Sequence, residues 1–215
     1  GGEPAAGTVG AELGGALGSV DRDETLPQIV RVATARLAEF ALVFMLDEVT
    51  GQLRRAAAAS RDSALASAAE SVMGVPLQGA LAQSVLQVVY EQKPLVVELN
   101  PEQYAALAPS PEQLRALTSV NPRSALIVPL VAVGKCFGAL ALARRAQRFE
   151  APEVALAETM ARRCALFLEN ARLYRAEQRA KRARDEVLQI VAHDLRNPLN
   201  AIGLQLQSLL RRRAE

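Results

Sequence analysis

The chain has one histidine, His193, followed at once by Asp194 and one helical turn later by Asn197 and Pro198. Imidazole is neutral for much of its population at pH 7 and is then a nucleophile, provided that it is accessible. Apolar residues around it, Leu188, Ala192, Leu195, Leu199, Ile202, Leu206 and Leu209, are spaced alternately four and three. That spacing describes a helix packed on partner helices in a bundle or coiled coil. His193 falls one place past a seam position, so its ring is expected to point toward solvent or an approaching partner, with Asn197 on the same face. A lone exposed histidine is more often an incidental surface residue. Proline in a helix interior costs roughly 3 kcal/mol or more, so Pro198 kept inside a strong heptad suggests a bend with a purpose.

The stretch EVLQIVAHDLRNPLNAI, Glu186 to Ile202, resembles the H-box of sensor histidine kinases: His, an acid, two variable residues, Asn or Thr, then Pro. The resemblance implies that His193 is the phosphoacceptor. It implies that Asp194 orients the ring or accepts its proton, that Asn197 positions the water that hydrolyses a phosphorylated regulator, and that Pro198 bends the helix. It covers about 17 residues and places residues 186–215 as the first helix of a dimerisation and phosphoacceptor domain. No second bundle helix, Asn-bearing nucleotide helix or Gly-rich lid follows, and nothing resembles a Walker loop. ATP and Mg²⁺ are therefore expected to belong to a separate catalytic domain. This chain is expected to accept phosphate without binding ATP, and to pass it to the receiver domain of a response regulator.

Extending the heptad backwards gives Asp185, Lys181, Gln178, Tyr174, Ala171, Phe167, Cys164 and Met160. One register thus runs from Met160 to Leu209, polar at Gln178, Lys181 and Asp185. A competing stripe, Ala176, Ala180, Ala183 and Val187, lies on the opposite face. The polar section reads either as a weakly specified switch or as a solvated spacer that fixes register. Phe149-Glu150-Ala151-Pro152 opens this helix, with Pro152 near its first position and Glu153 in its first turn. From Ala151 to Arg213 it would measure about 95 Å and is expected to need a partner, most simply its own copy in a parallel homodimer. Residues 151–185 read as a signalling coiled-coil helix.

The rest of the chain must position that helix. Half of the 215 residues are hydrophobic, tryptophan is absent and aromatics are sparse, so alanine and leucine fill most of the core. Residues 1–10, rich in Gly and Ala, read as a disordered or extraneous N-terminus, and both ends read as cut points in a longer protein. A weak helical patch follows from Ala11, then a helix over about Asp23–Glu39 with Asp21 and Asp23 as cap signals and Pro27 near its first turn. Phe40–Asp47 and Gln52–Ser60 read as a hairpin, and 62–72 as a helix or ordered loop. Gly79–Gln92 reads as a helix, Leu95–Leu99 as a strand, and Pro101–Val120 as two short helical patches. Strands Ser124–Val131 and Cys136–Arg144 flank a turn through Val133, Gly134 and Lys135. Gly138 inside the second suggests a bend or a close approach by another backbone.

This order predicts an α+β fold, with a central antiparallel sheet flanked by helices and then the long coiled-coil helix. Two stretches, GVPLQGALAQSVLQVVYEQKPLVVE and RSALIVPLVAVGKCFGALALARR, resemble the helix–strand and final-hairpin patterns of GAF domains, with the sensor domain at residues 11–150. The resemblance implies a small-molecule sensor, its ligand unknown, or a module that only dimerises. The sole histidine lies outside that domain, so no histidine there could bind haem or zinc, and no metal site is expected. Neither Cys136 nor Cys164 has the His neighbour associated with bilin attachment, and the NKFDE pattern associated with cyclic nucleotides is not evident. Both cysteines read as small core residues rather than redox sensors. No run approaches the roughly 18 apolar residues of a membrane span, no signal-peptide pattern opens the chain, and a reducing cytoplasm is the simplest home.

Residues 151–215 carry a net charge of +4 against −2 for residues 1–150. The basic run Arg172–Arg184, followed by Leu188, Leu195, Ile202 and Leu209 at intervals of seven, imitates a basic-region zipper on DNA. Pro198 would interrupt that zipper, and charge runs on long helices are usually solvated faces; no nucleic-acid partner is expected.

Overall fold

A computed structural model describes residues 22–47, 50–62, 77, 79–107, 110–145 and 148–214, with side chains in the last stretch as far as residue 189. The expected N-terminal tail, the patch from Ala11, the cap at Asp21 and the segment 63–72 lie outside the described residues. The elements are α1 (Arg22–Arg36), β1 (Phe40–Leu46), β2 (Leu53–Ser60), α2 (Gly79–Glu91), β3 (Leu95–Glu98), a 3₁₀ turn at Pro101–Gln103, α3 (Tyr104–Leu107), α4 (Pro111–Val120), β4 (Ser124–Ala132), β5 (Lys135–Arg144) and α5 (Ala151–Ala214). Pro27 lies inside α1, beyond its first turn as the helix is assigned.

The five strands form one antiparallel sheet in the order β2-β1-β5-β4-β3. The period-2 alternation of a strand sends its apolar residues to both faces, and here both faces are covered. Ala41, Val43 and Met45 of β1, with Leu126, Val128 and Leu130 of β4, join Leu26, Ile29, Val30 and Ala33 of α1 and Ala157, Met160, Ala161, Cys164, Ala165 and Leu168 of α5 in the main core. On the opposite face Phe44, Ile127 and Ala139 pack against Val85, Val88 and Val89 of α2.

Two bulges re-aim side chains. Pro129 pairs with Ala139, whereas Val131 pairs with Cys136, so β5 carries one extra residue between those pairs. Phe137 belongs to the α1/α5 face along with Leu140 and Leu142, while Cys136 and Ala139 belong to the α2 face. Gly138 therefore absorbs the change of parity, at φ +151°. A Cβ there would stand 1.9 Å from the carbonyl oxygen of Phe44, which is the close approach expected of this glycine. In β2, Val43 pairs with Ala57 but Phe44 with Arg55. Ala56 is the extra residue, and Arg55 shares the face of Phe44.

The β4–β5 turn is tighter than the sequence suggests. Lys135 already pairs with Ala132, leaving a two-residue loop with Val133 at φ 50° and Gly134 at φ 73°. Positive φ at both central residues is the type I′ pattern, which suits Asn-Gly and penalises a β-branched side chain. Val133 is 82% exposed, so no packing offsets the strain. Val133→Asn is expected to stabilise the domain by about 1 kcal/mol, read as a higher urea midpoint at unchanged slope. A midpoint equal to or below wild type would show that the turn is unstrained.

Residues 151–171 of α5 belong to the globular unit, which extends to Ala171; a second unit comprises residues 172–215. Met160, Cys164 and Ala171, expected on a coiled-coil seam, are buried within the first unit instead. A stripe spaced three and four fits a sheet as well as a partner helix, and here the sheet takes it. The reading of residues 151–171 as part of a coiled-coil seam is thereby corrected. In the second unit Leu173, Tyr174, Val187 and Leu188 are exposed, as are Lys181 and Asp185, while Gln178 is half-buried.

Candidate functional site

A cavity of about 90 Å³ lies on the α2 side of the sheet. Its floor is Phe40, Leu42 and Phe44 of β1, Ala125 and Ile127 of β4 and Ala141 and Ala143 of β5, with Ala116, Leu117 and Val120 of α4 among its walls. Alanine at these sheet positions provides the space, since a larger side chain at 125, 141 or 143 would occupy it. Arg55 is the one charged residue among the described lining. Its guanidinium carbon lies 5.9 Å from the centroid of the Phe44 ring. Burial lowers its pKa from 12.5 to about 10, so it remains a cation at pH 7, held in poorly solvating surroundings.

The walls are fixed by hydrogen bonds at their ends. Arg145 donates from Nε to the carbonyl of Val120 at 2.7 Å and from its terminal nitrogen to that of Ser119 at 3.2 Å. A cation capping the last carbonyls of α4 is favoured by the helix dipole. The hydroxyl of Tyr104 donates to the carbonyl of Pro122 at 2.6 Å, anchoring α3 to the connection between α4 and β4; burial, opposed in part by nearby Arg123, raises its pKa.

The sheet also connects directly to the start of α5. Arg144, last in β5, donates to Glu153 at 2.5 and 2.9 Å, one bond to each carboxylate oxygen. It also donates to the carbonyl of Arg148 and lies 4.2 Å from the ring centroid of Phe149. The N–H of Glu150 donates to Glu153 at 2.8 Å. The hydrogen bonds from Arg144 hold the Glu153 carboxyl below its ordinary range, burial opposing them and the Glu150 N–H assisting.

The predicted phosphoacceptor residues His193, Asp194 and Asn197, with Pro198, fall within the span of α5. Their side chains lie outside the described residues, as does any bend at Pro198. Cys164 is fully buried in the main core, and burial pushes its thiol up to about 12. Cys136 is half-buried against the α2-side core, donates to the carbonyl of Gly138 at 3.3 Å, and is raised chiefly by burial. Sequence reasoning did not find Arg55. The run Leu53-Arg54-Arg55-Ala56 contains two adjacent arginines, and only the bulge at Ala56 decides which faces the cavity. Among the described residues there is no cluster of three His, Cys, Asp or Glu able to hold a metal ion.

Two helix-covered faces, the strand order and a cavity roofed by the β3–β4 connection define an α+β module with an apolar cavity on one side of its sheet. Residues 19–169 match the family model described as GAF domain, and the chain belongs to the GAF domain family. Solved structures with the same fold include the GAF domain of an Acinetobacter phosphoenolpyruvate-protein phosphotransferase, at 20% identity and TM-score 0.59 over 78% of this chain and 93% of that one. The corresponding domain from Coxiella burnetii gives 20% and 0.57 over 80% and 99%. A domain described as that of a two-component sensor histidine kinase from Sinorhizobium meliloti gives 20% and 0.54 over 74% and 99%. At such identities the likeness is one of fold. Comparison with curated proteins returns no match. No helix among the described residues is long and apolar enough to cross a membrane.

Proposed function

We propose that the chain is the regulatory and phosphoacceptor part of a cytoplasmic two-component sensor histidine kinase. Its GAF domain binds a small molecule and controls phosphorylation of His193. The observation that carries this reading is the continuity of α5: the helix whose first turns close the core of the sensor domain also contains His193-Asp194-Leu195-Arg196-Asn197-Pro198.

In the proposed reaction, neutral His193 attacks the γ-phosphorus of ATP supplied with Mg²⁺ by a separate catalytic domain. A nitrogen–phosphorus bond forms as the bond to the β–γ bridging oxygen breaks, ADP leaves, and the imidazole proton passes to Asp194 or solvent. The phosphoryl group then moves to an aspartate of a receiver domain, and Asn197 orients the water that later removes it. A homodimer through the C-terminal helix presents the histidine, and the chain by itself has no kinase activity. The second reading, a GAF module that only binds ligand or dimerises, keeps the cavity and assigns no role to His193.

Supplying a histidine-kinase catalytic domain and γ-labelled ATP separates the two. Acid-labile, base-stable label is expected on wild type and at background on His193→Gln. Equal labelling of both would eliminate the phosphoacceptor assignment.

A further inference from the structure

We infer that a further cleft, at the β4 edge of the sheet, binds a free α-amino acid with a short branched side chain. Its ammonium lies on Glu158, its carboxylate on Arg162 and its side chain on Pro129 and Val131. This goes beyond the sensing cavity described above and does not depend on the phosphoacceptor assignment.

Position is the first argument. β3 pairs with β4 only as far as Ile127, opposite Leu95, whereas β4 continues to Ala132. Among the described residues the last part of β4 therefore has no strand on its outer side. Proline suits such an edge, having no N–H to leave unpaired. Here lies a cleft of about 200 Å³, its described lining formed by Gln92, Pro129, Val131, Glu158 and Arg162. Three of the five are polar, unlike the apolar cavity on the α2 side.

Charge is the second. Glu158 and Arg162 stand four apart on α5, the spacing at which an acid and a base on a helix ordinarily pair. Among the described residues neither side chain forms an ion pair or a hydrogen bond. Two opposite charges thus line one cleft, a helical turn apart, without neutralising each other. A molecule with an ammonium and a carboxylate on one carbon matches both, through charge-assisted hydrogen bonds and the planar fork of the guanidinium. A simple anion would be repelled by Glu158 and a simple cation by Arg162.

Strain is the third. Gln92 follows α2 at φ 54°, its N–H donating to the Val88 carbonyl at 2.9 Å. A helix end of this kind favours glycine, because a Cβ is strained there. Gln92 is exposed, so packing does not call for its side chain. Its amide can donate to a carboxylate or accept from an ammonium, and a strained residue kept in a cleft points to function. Size agrees: a cavity of about 150 Å³ holds benzene, so one of about 200 Å³ takes roughly eight non-hydrogen atoms, the number in valine.

The test uses the full chain with L-valine, L-valinamide, isovalerate and glycine, read by calorimetry and ligand-observed NMR. Valine is expected to bind about tenfold more tightly than valinamide, which lacks the carboxylate, or isovalerate, which lacks the ammonium. Glycine, without the apolar body, should also bind more weakly. Arg162→Met should abolish the preference over valinamide, and Glu158→Gln the preference over isovalerate. Gln92→Gly should raise the urea midpoint while weakening valine binding several-fold, opposite changes that a merely structural glutamine would not give. Ala116→Leu, in the wall of the α2-side cavity, should bind valine as wild type does. None of these readouts involves His193, so loss of the kinase reading leaves this one intact. The proposal is overturned if folded wild type does not bind valine, or if valine and its two analogues bind equally. It is equally overturned if the charge variants keep their preferences with normal melts, if Gln92→Gly binds undiminished, or if folded Ala116→Leu loses binding, which would place the ligand in the other cavity.

Discussion

Gly138→Ala is expected to cost about 3–5 kcal/mol of folding stability, a large share of the 5–15 kcal/mol typical of a domain. The added carbon would meet the Phe44 carbonyl oxygen at 1.9 Å, its carbon at 2.8 Å and Met45 Cα at 3.0 Å. All three are backbone atoms of the paired strand, so no rotamer change relieves the overlap; β1 and β5 would have to separate. The φ of +151° adds strain of its own. The measurement is urea unfolding, where the midpoint should fall steeply. An unfolding free energy within about 0.5 kcal/mol of wild type would mean that the bulge can move to another residue.

Arg144→Ala is expected to destabilise the domain by about 2–3 kcal/mol at pH 7, the range for hydrogen bonds to a charged group lost at a part-buried site. The side chain is 14% exposed and that of Glu153 32%. The substitution removes both carboxylate bonds, the bond to the Arg148 carbonyl and the contact with Phe149. A pH signature distinguishes this pair from simple packing. The Glu153 pKa is depressed in the folded state, from an ordinary value of 4.5, so its stabilising effect is fully present above that value. It is lost as pH falls through the lower, folded value. The gap between wild type and Arg144→Ala should therefore be constant from pH 8 to about 6 and narrow below about pH 4.5. A gap independent of pH down to 3 would assign the whole effect to packing on Phe149 and the bond to the Arg148 carbonyl. Because Arg144 ends a cavity strand and Glu153 begins α5, the same variant should weaken any effect of ligand on His193 labelling.

Much of the fold was legible because local rules and tertiary packing agreed. The β4–β5 hairpin and the α2 helix ended by Pro94 stand where apolar runs and breakers put them, within a residue or two, and Pro101–Val120 holds short helices, as expected without bounds. Periodicity failed where one spacing serves two partners. Met160, Cys164 and Ala171 continue the heptad of the distal helix without a break, and nothing in their spacing distinguishes a sheet from a second helix. The cavity was illegible for a related reason: β2 reads as an undistinguished LRRAAAAS, and its alanines give no alternation.

The amino-acid order by itself determined the α+β architecture, the long final helix and the His193-Asp194-Asn197-Pro198 constellation upon it, because turn chemistry, helix period and a contiguous motif are local properties. Only the tertiary structure decided that the first part of α5 closes the core of the GAF domain, that Gly138 is hemmed in by the Phe44 carbonyl, and that Arg55 faces the cavity. Each depends on strand pairing, and one inserted residue in a strand exchanges its two faces.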